Sequence, residues 1–394
     1  MSGPDAEPGL STRLAHAGRD PAGHAGSVSI PPYRTSTVLF PSLDALEARD
    51  PDHRGVRYGR LGTPSSHAFE EAMAALEGGH RAVTMGSGLS AITTTLMAFL
   101  KAGDHLLMTD SCYGPTREFC DGDLARFGVT TTYYDPLIGG GIATLIRPET
   151  RVVFMESPGS ITFEVQDVPA IAAAAKARGC VSMIDNTWSA GVFLKPLRLG
   201  VDISIQAVTK YVAGHADANA GVAVCTAETW RPVKEMAVRL GVAAGSEDLF
   251  LALRGLRTLA IRLERHRATA LRLAEWLKAQ PETIRLLHPA FPDCPGHAHW
   301  ARDHTGSCGL FAVEIAAQTR PALAAMLDGM RLFGMGYSWG GFESLILPLN
   351  PRRMRTATAW EGRGTLLRLH AGLEDADDLV RDLEDGFRRL REAA

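Results

Sequence analysis

Two residues in this chain stand where a reaction could be run. Lys210 follows the apolar run Ile203-Ser204-Ile205-Gln206-Ala207-Val208, and Asp185 closes Val181-Ser182-Met183-Ile184. Both runs read as buried strands, with the charged group arriving at the carboxyl end. In open α/β sheets that edge is where ligands bind. The interval between the two residues is long enough for one crossover connection, so their strands can be neighbours. A strand-end amine and a strand-end carboxylate suit pyridoxal 5′-phosphate: the lysine bonds to its aldehyde and the acid pairs with its pyridinium nitrogen. A buried anion keeps that nitrogen protonated, which the electron-withdrawing ring requires. Each residue also has a plainer reading, Asp185 as the N-cap of the next turn and Lys210 as a surface lysine along apolar neighbours. Thr209 before Lys210 and the break at Gly214-His215 after it argue against the second.

Other segments fall at the same sheet edge. Gly86-Ser87-Gly88-Leu89-Ser90-Ala91 follows a predicted strand and opens a helix. Its glycines and helix N-terminus suit a phosphate. They also fit G-x-G-x-x-A, so a nicotinamide-binding reading stays open, with Asp110 as its acidic residue. That alternative explains neither Lys210 nor Asp185. Tyr113, just beyond the predicted strand Asp104–Thr109, could stack on a cofactor ring or simply anchor its loop.

The whole chain sets bounds. Its 394 residues accommodate two domains, and 45% apolar with 22% charged residues is ordinary for a globular protein. A net charge of -3 gives no polybasic footprint, so nucleic acid and membrane surfaces are not expected partners. The six cysteines show no C-x-x-C pair and are expected to be reduced thiols, with no metal site. Met1–Pro8 lacks the features of a signal peptide and is expected to be a short disordered leader; the expected location is the cytoplasm.

The elements that must position the site follow an α/β pattern. Residues 1–60, rich in Pro, Gly and Arg, predict an extended arm that reaches another subunit. Residues 61–250 alternate strand and helix signals, which implies a mostly parallel sheet with helices on both faces. Strands are predicted at 82–85, 104–109, 130–134, 151–155, 181–184 and 203–208, and helices at 66–76, 91–100 and 169–178. Residues 251–394 read as a smaller α+β domain, with a helix over 256–279, strands over 309–314 and 365–370, and a last helix over 375–391.

Several motifs, in order along nearly the whole chain, resemble the Cys/Met-metabolism family of pyridoxal-phosphate enzymes. They are Arg57-Tyr58-Gly59-Arg60, Glu77-Gly78-Gly79, Gly86-Ser87-Gly88-Leu89, Asp185-Asn186-Thr187-Trp188, Thr209-Lys210-Tyr211, Arg254-Gly255-Leu256-Arg257-Thr258-Leu259 and Ser338-Trp339-Gly340-Gly341-Phe342-Glu343-Ser344. Glu156-Ser157-Pro158-Gly159-Ser160-Ile161-Thr162, Tyr337-Ser338-Trp339-Gly340-Gly341 and the run Leu367 to Asp375 resemble the branch of that family that cleaves cystathionine at Cβ in bacterial methionine biosynthesis.

The resemblance implies the fold type I architecture of pyridoxal-phosphate transferases: a seven-stranded sheet domain and a smaller C-terminal domain. It also implies roles. Lys210 carries the cofactor, Asp185 pairs with its ring nitrogen and Tyr113 stacks on the ring. Gly88 and Leu89 give N–H groups to the phosphate, and Thr209 a hydroxyl. Tyr58 and Arg60 reach the phosphate of a neighbouring subunit. Arg368, with Ser338 and Trp339, holds the substrate α-carboxylate; without the family, Arg368 between Leu367 and Leu369 would pass for a solvent-facing arginine. The implied reaction is β-elimination of a sulfur amino acid, with Lys210 moving the Cα proton and Tyr113 assisting. L-cystathionine would give homocysteine, pyruvate and ammonia in a homotetramer built of dimers that share active sites. Other carbon–sulfur reactions of the family stay open (cysteine desulfhydrase, γ-lyase, γ-synthase), as does a cofactor-binding regulator. Two departures are visible: Ala207 stands where many relatives have a serine on the phosphate, and Val238 where an aromatic residue is expected near the distal end of the substrate.

Overall fold

The computed structural model describes residues 8–394. All of the predicted leader except Pro8 lies outside the described residues. The N-terminal stretch carries two short helices, α1 (Leu10–His16) and α2 (Leu43–Glu47). The arm is therefore not extended throughout: Leu14 and Ile30 are buried in the core, and the Arg257 guanidinium donates to the Leu14, Ala15 and Ala17 carbonyls at the end of α1.

The large sheet unit then runs α3 (Pro64–Glu77), β1 (Arg81–Met85), α4 (Gly88–Phe99), β2 (His105–Thr109), α5 (Gly114–Phe119), β3 (Thr130–Tyr134), β4 (Thr150–Glu156), α6 (Val168–Ala177), β5 (Val181–Asp185), β6 (Ile203–Ala207) and β7 (Gly221–Cys225). Its seven strands lie in the order β1-β7-β6-β5-β4-β2-β3. β7 is antiparallel to both its neighbours and the β6-to-β3 strands are parallel. The alternation seen in sequence has a direct cause. Leu106, Met108, Phe154 and Met183 enter the core on one face, while Leu107, Val153, Met155 and Ile184 enter it on the other. A sheet covered on both faces needs apolar residues at both parities.

After β7 come α7 (Ala227–Leu240) and α8 (Ser246–Lys278). α8 starts ahead of the predicted position, and the expected domain boundary at 250 falls inside it. Its buried stripe of Leu249, Ala252, Leu253, Leu256, Leu259 and Leu263 keeps helical spacing across that point. The C-terminal part holds β8 (Thr283–Leu287), α9 (His297–Asp303), β9 (Leu310–Ile315), α10 (Arg320–Leu327), β10 (Leu345–Leu349), β11 (Thr365–His370) and α11 (Ala376–Glu392). Its four strands form an antiparallel sheet ordered β10-β11-β9-β8. Among the described residues, no helix is long and apolar enough to cross a membrane, and all six cysteines are buried and free.

Candidate active site

The parallel strands bring their carboxyl ends to one edge of the large sheet. Glu156 ends β4 and Asp185 ends β5, directly opposite each other in register. Beyond β6 the chain turns through Thr209 and Lys210. Two buried polar clamps hold this turn. Glu77, at the end of α3, accepts from Asn186 at 3.0 Å, Ser204 at 2.6 Å and Gln206 at 2.5 Å, tying β5 to β6. Arg262 of α8 donates to the carbonyls of Tyr211 at 2.7 Å and Gly255 at 2.8 Å. α8 approaches so closely there that a Cβ on Gly255 would lie 2.2 Å from the Val212 carbonyl oxygen.

Lys210 Nζ donates to Ser338 Oγ at 2.7 Å and lies 5.4 Å from the Trp339 ring centre. Burial, then the positive charge of Arg368, lower the lysine to about 8 against the opposing pull of Asp185. Asp185 accepts from both the N–H and the hydroxyl of Thr187, at 3.0 and 2.5 Å. Burial raises its carboxyl despite those bonds and despite Lys210. The Tyr113 ring stands partly exposed over the same edge, raised by burial and by the charges of Asp185 and Glu156. Arg368, on the central strand β11, points into the cleft. Its Nη2 donates to the Tyr337 carbonyl at 2.9 Å, with the Gly336 and Ser338 carbonyls at 3.4 Å. Burial lowers Arg368 to about 10.

The phosphate-type cradle lies at the start of α4. Ser87 caps the helix, sharing a capping box with Ser90. The Gly88 and Leu89 N–H groups, at the first two helical positions, have no partner among the described residues. A Cβ on Gly88 would sit 2.5 Å from that of Ala207, so the loop packs directly on the end of β6. The Thr209 hydroxyl exchanges bonds with the backbone of Ala220, at 3.2 and 3.3 Å.

Lys210, Asp185, Tyr113, Arg368, Ser338 and Trp339 are thus gathered in one cleft. Tyr58 and Arg60 stand apart from it within a single chain. Tyr58 is 42% exposed, and Arg60 donates to the Val238 carbonyl at 2.7 Å. Arg60 and Val238 line a cavity of about 300 Å³ with Arg34, Glu70 and Lys234, and Lys210, Asp185 and Arg368 do not line it. Asp110, the acid that a nicotinamide site would need, is fully used. It accepts from the N–H groups of Thr356, Ala357 and Thr358, from the hydroxyls of Thr356 and Thr358, and from Arg117.

The family of Cys/Met metabolism PLP-dependent enzymes matches residues 11–388. This chain belongs to that family. It is 47% identical to a putative cystathionine beta-lyase of Rhizobium johnstonii, over 96% of each chain. It is 44% identical to a cystathionine beta-lyase of Escherichia coli, over 97% of this chain and 98% of that one. Among solved structures it resembles cystathionine gamma synthase from Xanthomonas oryzae in complex with cystathionine, with TM-score 0.90 and 30% identity over 99% of this chain and 100% of that one.

The cofactor of this PLP-dependent enzyme is pyridoxal 5′-phosphate, and the cleft suits it. Unpaired N–H groups at a helix N-terminus match a phosphate. A buried acid raised by desolvation gains most from a cationic partner, and a ring N–H⁺ is one. An amine lowered to about 8 is partly neutral near physiological pH, as bonding to an aldehyde requires.

One site residue escaped the sequence reading as a chemical group. In the sequence, Glu156 stands out only as part of a family motif. Its carboxylate accepts the Tyr113 N–H at 2.7 Å, and burial, then Asp185, push it well above the usual range. The signal was present, because Glu156 ends its strand just as Asp185 does.

Proposed function

We propose that the protein is a PLP-dependent carbon–sulfur lyase that cleaves L-cystathionine by β-elimination to homocysteine and aminoacrylate, which water hydrolyses to pyruvate and ammonia. The observation that carries this reading is the convergence of Lys210, Asp185, Arg368 and Ser338 on one cleft at the strand ends. The likeness to cystathionine beta-lyases over nearly the full chain supports it.

When bound, the cofactor supplies an aldehyde for the substrate amine and a cationic ring that withdraws electrons from Cα. The residues do the rest. Arg368 binds the α-carboxylate through Nη1 and Nε, its Nη2 being committed to the loop carbonyls. This would fix which Cα bond is presented to Lys210. Neutral Lys210 takes the Cα proton and returns it to the departing sulfur, with Tyr113 assisting. Ser338 Oγ keeps the lysine amine beside Cα. Asp185, oriented by Thr187, holds the proton on the pyridine nitrogen. Gly88 and Leu89 anchor the phosphate.

We further propose a cytoplasmic homotetramer in which Tyr58 and Arg60 act in a neighbouring subunit's site. The exposure of Leu39 (89%), Leu43 (65%) and Leu46 (50%) on the same arm supports a covered surface there.

The test is product analysis with purified cofactor-loaded protein and L-cystathionine. Pyruvate and homocysteine are expected. Formation of 2-oxobutyrate as the main product would overturn β-elimination in favour of a γ-lyase. Visible cofactor absorbance without turnover of any carbon–sulfur substrate would support a regulator instead.

A further inference from the structure

The loop over residues 336–344 makes the Lys210 contact and the Arg368 contacts, yet it has no regular structure of its own. What fixes it is the strand beneath. Arg368 and His370 are two apart on β11 and so share a face. Arg368 binds the front of the loop through the carbonyls of Gly336, Tyr337 and Ser338. The rear is tied by Leu373 N–H to Phe342 O at 2.8 Å and by Gly372 N–H to Ser344 Oγ at 2.8 Å. The middle rests on His370. Gly340 N–H lies 3.1 Å from His370 Nε2.

That contact decides the tautomer. Gly341 O also approaches Nε2, at 3.2 Å, but a neutral imidazole nitrogen is either donor or acceptor. An orphaned buried N–H is rarer than an under-satisfied carbonyl, so Nε2 accepts from Gly340 and the proton sits on Nδ1. Nδ1 faces the Tyr211 hydroxyl at 3.5 Å, and that oxygen accepts the Gly309 N–H at 2.9 Å. The imidazole is fully enclosed, 1% exposed, and packs against His266 with ring centres 5.2 Å apart.

Gly340 is where the loop meets the catalytic turn. Its φ is +87°, and a Cβ there would stand 2.8 Å from the Lys210 carbonyl carbon and the Tyr211 nitrogen. No side chain fits, so the loop backbone lies flat on the turn bearing Lys210. Ser338, two residues earlier, then reaches Lys210 Nζ.

We propose that His370 is a positioning residue for the reaction: by accepting the Gly340 N–H, it holds the 336–341 loop against Lys210 and so sets the Ser338 contact and the Arg368 clamp. Enclosed beneath the loop, it acts through the loop backbone. The role rests on the lyase reading above for its kinetic consequence but not for its structural one.

The experiment compares His370→Leu, which removes the acceptor, with His370→Gln, whose side-chain carbonyl can reach the Nε2 position. Hydrogen–deuterium exchange of the cofactor-free protein reads the loop directly. Peptides covering 336–341 should exchange at least tenfold faster in His370→Leu, while β11 peptides stay protected and His370→Gln stays near wild type. In the loaded enzyme, kcat/KM for cystathionine should fall roughly 10- to 100-fold in His370→Leu. Most of that loss should sit in KM, because the Arg368 clamp is what loosens, and His370→Gln should recover most of it. If His370→Leu does not fold, His370→Asn, whose carbonyl falls short of Gly340, takes its place. Unchanged exchange at 336–341, or a Gln variant as impaired as the Leu variant, overturns the proposal. Wild-type protein lacking lyase activity would sink the functional reading and leave the exchange comparison as a complete test of this one.

Discussion

Glu156 and Asp185 are register partners at the carboxyl ends of β4 and β5, two acids side by side on the floor of the cleft. Two neighbouring buried carboxyls cannot both ionise cheaply. Asp185 has Thr187 donating twice and Lys210 nearby. Glu156 has the Tyr113 N–H, yet burial, then the charge of Asp185, hold it well above the usual range. Charge is therefore disfavoured more strongly on Glu156 than on Asp185. Glu156→Gln, which keeps the shape without a charge, should change kcat/KM less than about fivefold. Asp185→Asn should cost roughly 100-fold or more, about 3 kcal/mol of barrier. Steady-state kinetics on the two variants checks the assignment, and an equal loss in both would contradict it.

Lys210 leaves a thermodynamic trace before any catalysis. Burial and Arg368 lower it from 10.5 to about 8 in the folded chain. Between those values the unfolded state binds more protons than the folded one, so the lysine's unfavourable contribution is full below pH 8 and is relieved as pH rises to 10.5. Cofactor-free Lys210→Met should be more stable than wild type at pH 7, and the gap should close toward pH 10.5. Thermal melts of both proteins across that range test this; a constant gap, or a less stable variant at pH 7, contradicts the burial argument.

Arg368 holds the loop carbonyls, and in the proposed reaction it also binds the substrate carboxylate. Lysine could hold one carbonyl but lacks the planar fork for a carboxylate. Arg368→Lys should raise KM for cystathionine by roughly 10- to 100-fold, with a smaller fall in kcat. A change confined to kcat would place the arginine elsewhere in the reaction.

Lys210, Asp185 and the Gly88 turn were legible because each follows a strong apolar run or a glycine-rich turn, and strand ends share one edge by topology. The parallel strands from β2 to β6 were legible for the same reason. β7, β8 and β10 were missed. β7 is a short run of Gly, Ala, Val and Cys whose strand character comes from pairing with β1 and β6. β10 contains Pro348, a residue that argues against a strand except at an edge, and it is an edge strand here. His370 looked like one more residue of a family motif, since its meaning depends on a loop thirty positions away in sequence. Without the family resemblance Arg368 would pass for solvent-facing, because alternation reports the face and not what covers it.

Four of the buried histidines make acid stability a second observable. Burial holds His266, His288 and His304 at about 4 and His370 at about 3, against 6.5 unfolded. The unfolded chain binds more protons as pH drops below 6.5, so the stability from keeping these rings neutral is complete above 6.5 and lost progressively as pH falls toward 4. Denaturant midpoints should therefore decline between pH 7 and 5.5, before most carboxylates titrate. His288→Gln, at a ring that packs on Phe291 and Phe311, should flatten that decline by about one proton's worth. A midpoint flat over this interval would mean these rings are not neutral in the fold.

Asp110 joins the two halves of the chain. Its carboxylate, at the end of β2, gathers the N–H groups of Thr356, Ala357 and Thr358 from the C-terminal part and pairs with Arg117 at 2.7 Å. Burial pushes the acid up, but those N–H groups outweigh it and leave it below the ordinary carboxylate range. Arg355 adds a second tie to Thr162 and Glu164. Removing the acid orphans three donors and leaves Arg117 without its charge partner, so Asp110→Ala should destabilise the protein by about 3 kcal/mol. The freed segment should become a preferred cleavage site, since the carboxylate is what closes it onto the sheet edge. Asp110→Asn keeps the shape and one acceptor and should retain part of the closure. Limited proteolysis of the three proteins, with the cut mapped by mass spectrometry, should give the order Ala fastest, Asn intermediate and wild type slowest, with cleavage between 350 and 360. An Ala variant that resists cleavage there as well as wild type does would show that Arg355 and the loop's own packing hold the segment without Asp110.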